Sequence, residues 1–233
     1  MSNVLITGAN RGLGLSLTVR YLEKGDTVFA CYRWKRSISA LASLKKKYEG
    51  RLFLIKLDVT REKEISKAKG AISKRTNSID ILINNAGVIF RNESVAGFSA
   101  KNAEDAFAVN STGPMLMAKH LIKLLKCSEN PKIVNISSLS GSISRVSGFS
   151  GLYSYKASKA ALNMLTKILS SELKDAGIIV AALHPGVMKT EMNGNDGDIT
   201  PEESSMKIRS IIEKLKMKDS ASFIDYNRKT CPW

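Results

Sequence analysis

The chain has 233 residues, of which 43% are hydrophobic and 24% charged, and these proportions exclude a disordered or fibrous protein. Its 36 Lys and Arg residues against 21 Asp and Glu give a formal net charge of +15 at pH 7. The three cysteines, Cys31, Cys127 and Cys231, are too few and too scattered for a disulfide framework or a zinc site. They predict a reducing compartment and a cytoplasmic protein.

The positive charge admits three explanations. The plainest is a lysine-rich solvated surface, because runs such as Lys45–Lys47 fall where a helix should face water. Nucleic-acid binding is a second, but the basic residues are dispersed without interleaved aromatic residues, so we expect no nucleic-acid partner. A third, compatible with the first, is a field that attracts an anionic cofactor or substrate. No membrane association is expected, because an apolar run such as Ile178–Leu183 is too short to cross a bilayer.

Strand-like apolar runs alternate along the chain with amphipathic stretches of helical length. Seven strands are predicted, at Asn3–Thr7, Thr27–Cys31, Leu52–Leu57, Ile81–Asn84, Lys132–Ile136, Ile178–Leu183 and Ser222–Ile224. Helices are predicted between them, at Gly12–Lys24, Ser37–Tyr48, Glu62–Thr76, Lys101–Lys126, Tyr155–Asp175 and Pro201–Leu215. This alternation predicts right-handed βαβ crossovers and a Rossmann-type doubly wound α/β fold, with a parallel sheet, helices on both faces and residues 1–233 in a single domain.

A glycine-rich turn, Thr7-Gly8-Ala9-Asn10-Arg11-Gly12-Leu13-Gly14, joins the first predicted strand to the first helix. In such a turn Gly8 permits the tight bend, Gly12 lets the backbone approach a pyrophosphate, and Gly14 allows close packing of helix on strand. The N–H groups at the helix start then face the phosphate charge. Glycine-rich turns also occur for structural reasons, but the position of this one predicts a dinucleotide site that includes Asn10, Arg11 and Leu13.

The spacing Gly-x-x-x-Gly-x-Gly resembles the short-chain dehydrogenase/reductase family, and the resemblance extends over nearly the whole chain. Asn84-Asn85-Ala86-Gly87 is similar to the family segment that supports the sheet beside the cofactor. Asp58-Val59 is similar to the pair that contacts the adenine. Pro185-Gly186-Val187 with Thr190 resembles the segment that contacts the nicotinamide carboxamide and a cofactor phosphate. The resemblance implies that Asp58, Val59, Asn85, Ala86, Gly87, Pro185, Gly186, Val187 and Thr190 bind a nicotinamide cofactor.

The end of the second predicted strand bears on the choice of cofactor. NAD-binding relatives carry an acidic residue there, which accepts hydrogen bonds from the ribose hydroxyls. Here the place falls on Tyr32, followed by Arg33, and the glycine turn adds Arg11. No carboxylate repels a ribose phosphate, and two guanidinium groups could bind it bidentately, although both could also be surface arginines without a ligand. The pattern favours NADP(H) over NAD(H).

The segment Tyr155-Lys156-Ala157-Ser158-Lys159 carries the strongest catalytic signal. Tyr155 and Lys159 are four positions apart, so they share one face of a helix. A phenol with a pKa near 10 transfers protons poorly at neutral pH, and a nearby ammonium is expected to lower that pKa. Tyr153 has no lysine at this spacing, because Ala157 lies four positions beyond it. The resemblance gives Lys159 a second role, in bonding the nicotinamide ribose.

Two further residues complete the resemblance to the family's catalytic tetrad. Ser138 follows the fifth predicted strand, at the edge of the sheet where ligands of such folds bind, and would donate to the substrate carbonyl oxygen. Ser137 and Ser140 are the nearest alternatives. Asn110 matches the asparagine that holds a water beside the lysine in the family. Because Asn is disfavoured inside a helix, its position indicates a purpose beyond helix formation.

The tetrad of Asn110, Ser138, Tyr155 and Lys159 implies reversible hydride transfer between NADP(H) and a small-molecule carbonyl, with Tyr155 as the proton donor in reduction. Neither histidine has a partner at metal-ligand spacing, so no metal site is predicted. Residues lining the substrate are expected among Phe90, Leu139, Ser140, Val146–Leu152 and Val187–Asn193.

His184-Pro185-Gly186, the helix start at Thr200–Glu203 and the ending Phe223–Trp233 resemble the sniffer and C-factor type of carbonyl reductase. An oxoacyl thioester reductase stays open as an alternative, as does a non-catalytic cofactor-sensing or signalling protein on the same fold. Long helices pair across subunits in this family, which implies a homodimer or homotetramer.

Overall fold

A computed structural model describes residues 1–34, 38–148 and 150–233. Seven strands form one parallel sheet in the order β3-β2-β1-β4-β5-β6-β7. Each lies within one residue of a predicted strand at either end. The strands are β1 (Asn3–Ile6), β2 (Thr27–Tyr32), β3 (Leu52–Lys56), β4 (Ile81–Asn84), β5 (Lys132–Ile136), β6 (Ile179–His184) and β7 (Phe223–Asp225).

Seven α-helices connect the strands in the described part of the chain. They are α1 (Gly12–Glu23), α2 (Ser39–Lys47), α3 (Glu62–Ser73), α4 (Ala100–Phe107), α5 (Gly113–Lys126), α6 (Tyr153–Glu172) and α7 (Pro201–Lys214). Ser37, the predicted first residue of the second helix, lies outside the described residues. None of the described helices is both long and apolar enough to span a bilayer.

Side chains of successive strand residues enter two separate cores, one on each face of the sheet. In β1, Val4 and Ile6 pack with residues of α1, α2 and α7, whereas Leu5 packs with residues of α3, α5 and α6. Strands buried on both faces have to be apolar at nearly every position, which is why continuous runs of Val, Ile and Leu predict them. The predicted single-domain, doubly wound fold is confirmed.

The predicted helix over Lys101–Lys126 contains a wide π-helical turn over Ala108–Thr112, which separates α4 from α5 and which the sequence analysis did not predict. Pro114 has no N–H to give to the carbonyl of Asn110, so the regular i→i−4 bonding cannot continue there. The N–H of Gly113 instead bonds to the carbonyl of Ala108, five residues back. Such turns are frequent at functional sites.

Candidate active site

A cleft of about 1070 Å³ opens at the carboxyl edge of the sheet, beyond the ends of β1 and β4. The chain winds outward in opposite directions from these neighbouring strands, and ligands of doubly wound folds bind at such a switch point. Most predicted site residues line the cleft: Gly8, Asn10, Arg11, Gly12, Leu13, Arg33, Asp58, Val59, Asn85, Ala86, Gly87, Ser138, Tyr155, Lys159, Pro185, Gly186, Val187 and Thr190. Gly14, Tyr32 and Asn110 are buried outside its wall.

The glycine turn folds tightly against the segment after β4. A Cβ on Gly14 would lie 2.3 Å from the carbonyl oxygen of Gly8 and 2.6 Å from Nδ2 of Asn85. That amide donates to the carbonyls of Thr7 (2.8 Å) and Gly8 (3.2 Å), which holds the two segments together. A Cβ on Gly12, in contrast, would meet only Cγ2 of Thr190, at 3.6 Å. The lack of a side chain at Gly14 therefore allows close packing, whereas its lack at Gly12 leaves space in the cleft.

The N-terminus of α1, at Gly12 and Leu13, lines the cleft. Arg11 is the capping residue and makes no side-chain cap, and the first turn contains no acidic residue. Uncapped N–H groups at a helix start are an anion site that suits a pyrophosphate. The turn therefore fits a dinucleotide cofactor.

Two guanidinium groups lie at this end of the cleft. Arg33 stacks over the ring of Trp34 at 5.1 Å, and both residues line the cleft. Arg11 forms an exposed ion pair with Glu191, a residue of the segment after β6. The glycine turn is thus linked to that segment across the mouth of the cleft. The preceding Tyr32 side chain is buried in the core against α1 and α2 and does not line the cleft, so its contact with the cofactor stays a prediction.

The Tyr155 and Lys159 side chains share one face of α6, as predicted, but their electrostatics differ from the expectation. Burial raises the pKa of Tyr155, and a hydrogen bond with the Ser138 side chain and the charge of Arg91 act in the opposite direction. The Lys159 ammonium lies 5.9 Å from the centre of the phenol ring and donates to the carbonyl of Ile136 at 2.7 Å. Burial lowers the pKa of Lys159 to about 8. The Lys159 ammonium thus lies beside the phenol, and burial is the largest cause of the pKa shift of each group.

The three candidate serines, Ser137, Ser138 and Ser140, differ in their hydrogen-bond partners. The hydroxyl of Ser137 donates to Oδ1 of Asn163 at 2.6 Å in the buried interior. The hydroxyl of Ser138 lies in the cleft and bonds with the Tyr155 side chain. Ser140 also lines the cleft, and its N–H donates to the hydroxyl of Ser138 at 3.1 Å. Only Ser138 of the three has its hydroxyl beside the phenol.

Asn110 is fully buried in the π-helical turn and joins β4 to α6. Its Oδ1 accepts from the N–H of Val88, and its Nδ2 donates to the carbonyl of Val88 and to the hydroxyl of Ser158, each at 2.9 Å. Gly87 is close to both Asn110 and Lys159: a Cβ there would lie 3.3 Å from Oδ1 of Asn110 and 3.9 Å from Nζ of Lys159. Asn110 therefore lies next to the lysine without reaching the cleft itself.

The substrate-lining prediction holds in part. Ser140, Leu152 and Val187–Asn193 line the cleft, whereas Phe90 and Leu139 do not. Leu139 instead packs on a small core with Phe223 and Cys231. Ile89 and Arg91 line the cleft on either side of Phe90, and successive side chains of an extended segment point opposite ways. The described residues among 146–151 are not part of the wall, and Phe149 lies outside the described residues.

With this geometry in view, comparison with known proteins assigns the chain. A family model described as short chain dehydrogenase matches residues 2–199. The chain belongs to the short-chain dehydrogenase/reductase family. It is 34% identical to the short chain dehydrogenase gsfK of Penicillium aethiopicum, over 100% of this chain and 99% of that protein. The NADPH-dependent pterin aldehyde reductase of Arabidopsis thaliana is 30% identical, with 93% of this chain and 90% of that protein covered.

Solved structures agree with this assignment. NADPH-bound carbonyl reductase from chicken fatty liver superposes with a TM-score of 0.95 at 32% identity, over 100% of this chain and 99% of that one. The carbonyl reductase Sniffer of Drosophila melanogaster has a TM-score of 0.95 at 29% identity, with both chains covered completely. The C-signal protein of Myxococcus xanthus is 30% identical over 68% of this chain and 95% of that protein. The predicted resemblance to the sniffer and C-factor type is confirmed.

One residue that sequence reasoning missed fixes the start of α6, the helix that carries Tyr155 and Lys159 in this short-chain dehydrogenase. Glu93 is only 3% exposed, and its carboxylate accepts from the N–H of Ser154 at 2.9 Å and from the Ser154 hydroxyl at 2.5 Å. The N–H of Glu93 also bonds to the carbonyl of Gly151 at 3.1 Å. Glu93 thus caps the N-terminus of α6, one residue before Tyr155, where negative charge is favourable.

We expect Glu93→Ala to lower the free energy of unfolding by about 2 kcal/mol, because a helix cap is lost and a buried N–H loses its partner. Urea unfolding measures the change. Glu129→Ala provides a matched control, since Glu129 is exposed in a turn and should change stability by less than about 0.5 kcal/mol. Equal stabilities of the two variants would contradict the capping role.

The buried His184 at the end of β6 leads us to expect that acid destabilises this protein. It is 6% exposed, its Nδ1 has no hydrogen-bond partner among the described residues, and burial lowers its pKa to about 4. In the unfolded chain a histidine has a pKa near 6.5. The native state therefore binds fewer protons between these values, so stability is complete above about pH 6.5 and falls as the pH drops toward 4.

At pH 4.5 we expect His184 alone to cost roughly 2–3 kcal/mol of the free energy of unfolding measured at pH 7. A His184→Gln variant cannot take up this proton, so its stability should decline less over the same range. Urea unfolding of both proteins at the two pH values provides the comparison. The interpretation fails if the two proteins lose stability equally.

Proposed function

We propose that this protein is an NADP(H)-dependent reductase that converts a small-molecule ketone, aldehyde or quinone to the alcohol. The observation that carries the proposal is the pair of hydroxyls of Ser138 and Tyr155, bonded to each other in the cleft that leads to the uncapped start of α1. One site for a dinucleotide and one for a carbonyl oxygen thus lie in one cleft.

In this proposal each residue of the site has its own role in the reduction of the carbonyl. Bound NADPH supplies the hydride to the carbonyl carbon. Ser138 donates a hydrogen bond to the carbonyl oxygen as negative charge develops there, and Tyr155 delivers the proton to the same oxygen. Lys159, with its pKa lowered to about 8, has an easily exchanged proton beside the phenol. Asn110 holds α6 against β4 and completes the polar network next to Lys159.

The cofactor preference rests on charge at the adenine end of the cleft. Arg33 and Arg11 offer guanidinium groups for a ribose phosphate. Asp58 is the one acidic residue among the residues predicted to bind the cofactor. The exposed pair between Arg11 and Glu191 is weak in water, so a phosphate can take the place of the carboxylate. The similar proteins from Arabidopsis and chicken are named as NADPH-dependent and NADPH-bound, which supports the same preference.

We further propose that residues 1–233 act as one catalytic domain in the cytoplasm, as a homodimer or homotetramer. Three free thiols, of which Cys127 is exposed, suit a reducing compartment. Met164 and Ile168 of α6 are exposed apolar side chains of the kind that subunit contacts cover. Size-exclusion chromatography with light scattering measures the assembly.

The test is oxidation of NADPH and of NADH by the purified protein, with a panel of quinones, aliphatic ketones, aldehydes and oxoacyl thioesters. We expect kcat/KM to be at least about tenfold higher with NADPH, a difference of 1.4 kcal/mol. Arg33→Ala should reduce the ratio of kcat/KM with NADPH to kcat/KM with NADH. Arg75→Ala, which removes a guanidinium stacked on Phe53, should leave this ratio unchanged. Tight NADPH binding without turnover would favour the sensing alternative, and absence of cofactor binding would refute the proposal.

A further inference from the structure

A guanidinium group lies in the cleft wall beside the phenol. Arg91 follows β4, is exposed and lines the cleft. Its charge reaches Tyr155, whose pKa it lowers against the effect of burial. Nη2 of Arg91 donates to the carbonyl of Met192 at 3.0 Å and to Oδ1 of Asn193 at 3.1 Å. Arg91 thus lies between Tyr155 and the segment after β6.

Arg91 forms no ion pair with any residue in the described ranges. The acidic residues of the cleft wall have other contacts or lie beyond ion-pair distance. Glu191 pairs with Arg11, Glu202 accepts from the hydroxyl of Ser16 at 3.2 Å, and Asp58 accepts from Thr60. Asp196 is not within 4.0 Å of a cationic nitrogen in this part of the chain. Among the described residues, no acidic side chain therefore neutralises the charge of Arg91.

The donors of Arg91 are only partly used. A guanidinium has five N–H groups, and both bonds to residues 192 and 193 come from Nη2. The N–H groups of Nη1 and Nε are left for a ligand, with the planar geometry that binds a carboxylate through two bonds. The same cleft wall carries apolar side chains, among them Val88, Ile89, Leu152, Val187 and Met192, together with the cationic side chains of Lys159 and Lys189.

Apolar side chains together with a convergent charged group can fix the orientation of a ligand that has an apolar body and an opposite charge. The net charge of +15 adds a field that draws anions toward the protein. We propose that Arg91 selects carbonyl substrates that carry a carboxylate on an apolar body, and that it holds them with the carbonyl oxygen at Ser138 and Tyr155. This inference rests on the proposed reductase function and adds its substrate class.

The test uses two aldehydes that differ only in charge, 4-formylbenzoate and its methyl ester, each reduced with NADPH. We expect the wild-type protein to show a kcat/KM at least about tenfold higher for the acid, as bonds between charged groups contribute. Arg91→Gln should lower kcat/KM for the acid by about 10- to 100-fold more than kcat/KM for the ester, whose own change measures the loss of the Arg91 charge near Tyr155. Arg91→Lys should keep part of the preference, and added salt should reduce it.

Arg145→Gln removes the same charge outside the cleft wall and is the control for long-range attraction. It should leave the ratio of acid to ester unchanged within about twofold. If the protein reduces another carbonyl but neither aldehyde, inhibition of that reaction by 4-methylbenzoate and by 4-methylbenzamide provides the same comparison.

The outcomes separate the two proposals. Reduction of the ester without preference for the acid overturns the role of Arg91 and leaves the reductase function standing. An equal loss for both aldehydes in Arg91→Gln would show instead that Arg91 only holds the segment at Met192 and Asn193 in place. Failure to reduce any carbonyl would count against the reductase function itself.

Discussion

Tyr155→Phe should lower kcat by about 10²–10⁴-fold while the dissociation constant for NADPH changes by less than about threefold. The proposed chemistry needs a proton at the carbonyl oxygen, and general acid catalysis by a positioned group contributes an effect of this size. Phe keeps the ring and its packing but removes the hydroxyl that bonds with Ser138. Steady-state kinetics with NADPH and fluorescence titration of NADPH measure the two quantities.

Tyr153→Phe is the matched control for this experiment. Tyr153 lies two residues earlier on α6, is 40% exposed and packs edge-on against Phe98 with ring centres 6.3 Å apart. Its loss of a hydroxyl should change kcat by less than about twofold. Full activity of Tyr155→Phe would refute the assignment of Tyr155 as proton donor, and equal losses in both variants would indicate a general disturbance of α6.

Gly141→Ala should both destabilise the protein and impair catalysis, because the turn after β5 presses directly on the catalytic helix. A Cβ on Gly141 would lie 2.6 Å from the carbonyl carbon of Lys159, 2.7 Å from its Cβ and 2.9 Å from the N of Ala160. These are mainly backbone atoms, which cannot rotate out of the way. Overpacking of this kind costs about 1–3 kcal/mol, and displacement of a reacting group by about 1 Å can cost 100-fold in rate.

Urea unfolding and steady-state kinetics test this expectation, with Gly70→Ala as the control. A Cβ on Gly70, in α3, would meet nothing within 4 Å, and alanine is favoured over glycine in a helix by about 1 kcal/mol. The two substitutions should therefore change the free energy of unfolding in opposite directions. Unchanged activity in Gly141→Ala would mean that the turn yields without moving Ser138 or Lys159.

The sheet was predictable from the sequence because its signal is local. A strand buried on both faces needs apolar residues at consecutive positions, and runs such as Ile81–Asn84 and Lys132–Ile136 have the predicted bounds. The glycine turn was predictable for a similar reason, since a dinucleotide site needs several backbone features within eight residues. The wall of the cleft was therefore largely predicted from short motifs.

The features that the sequence did not indicate depend on contacts between distant residues. Glu93 looks like an ordinary surface acid, and its burial depends on Ser154, 61 residues further along the chain. The pKa of Tyr155 depends first on its burial and then on Ser138 and Arg91, and the four-residue spacing to Lys159 gives no sign of these three influences. The wide turn at Asn110 follows from Pro114 combined with the packing of Gly113 on Val59, where a Cβ would lie 2.9 Å from Cγ2.

The wide turn over Ala108–Thr112 has the effect of a one-residue insertion in an otherwise continuous helix. Each residue of an α-helix advances the direction of its side chains by about 100°, so the extra residue sets the rotation of everything that follows. α5 presents Met117, Leu121 and Leu124 to the core beside the sheet only at that rotation. Deletion of one residue from the turn would rotate α5 by about 100° relative to α4 and turn this apolar face away from the sheet. The length of the segment is therefore as strictly constrained as the identity of Asn110.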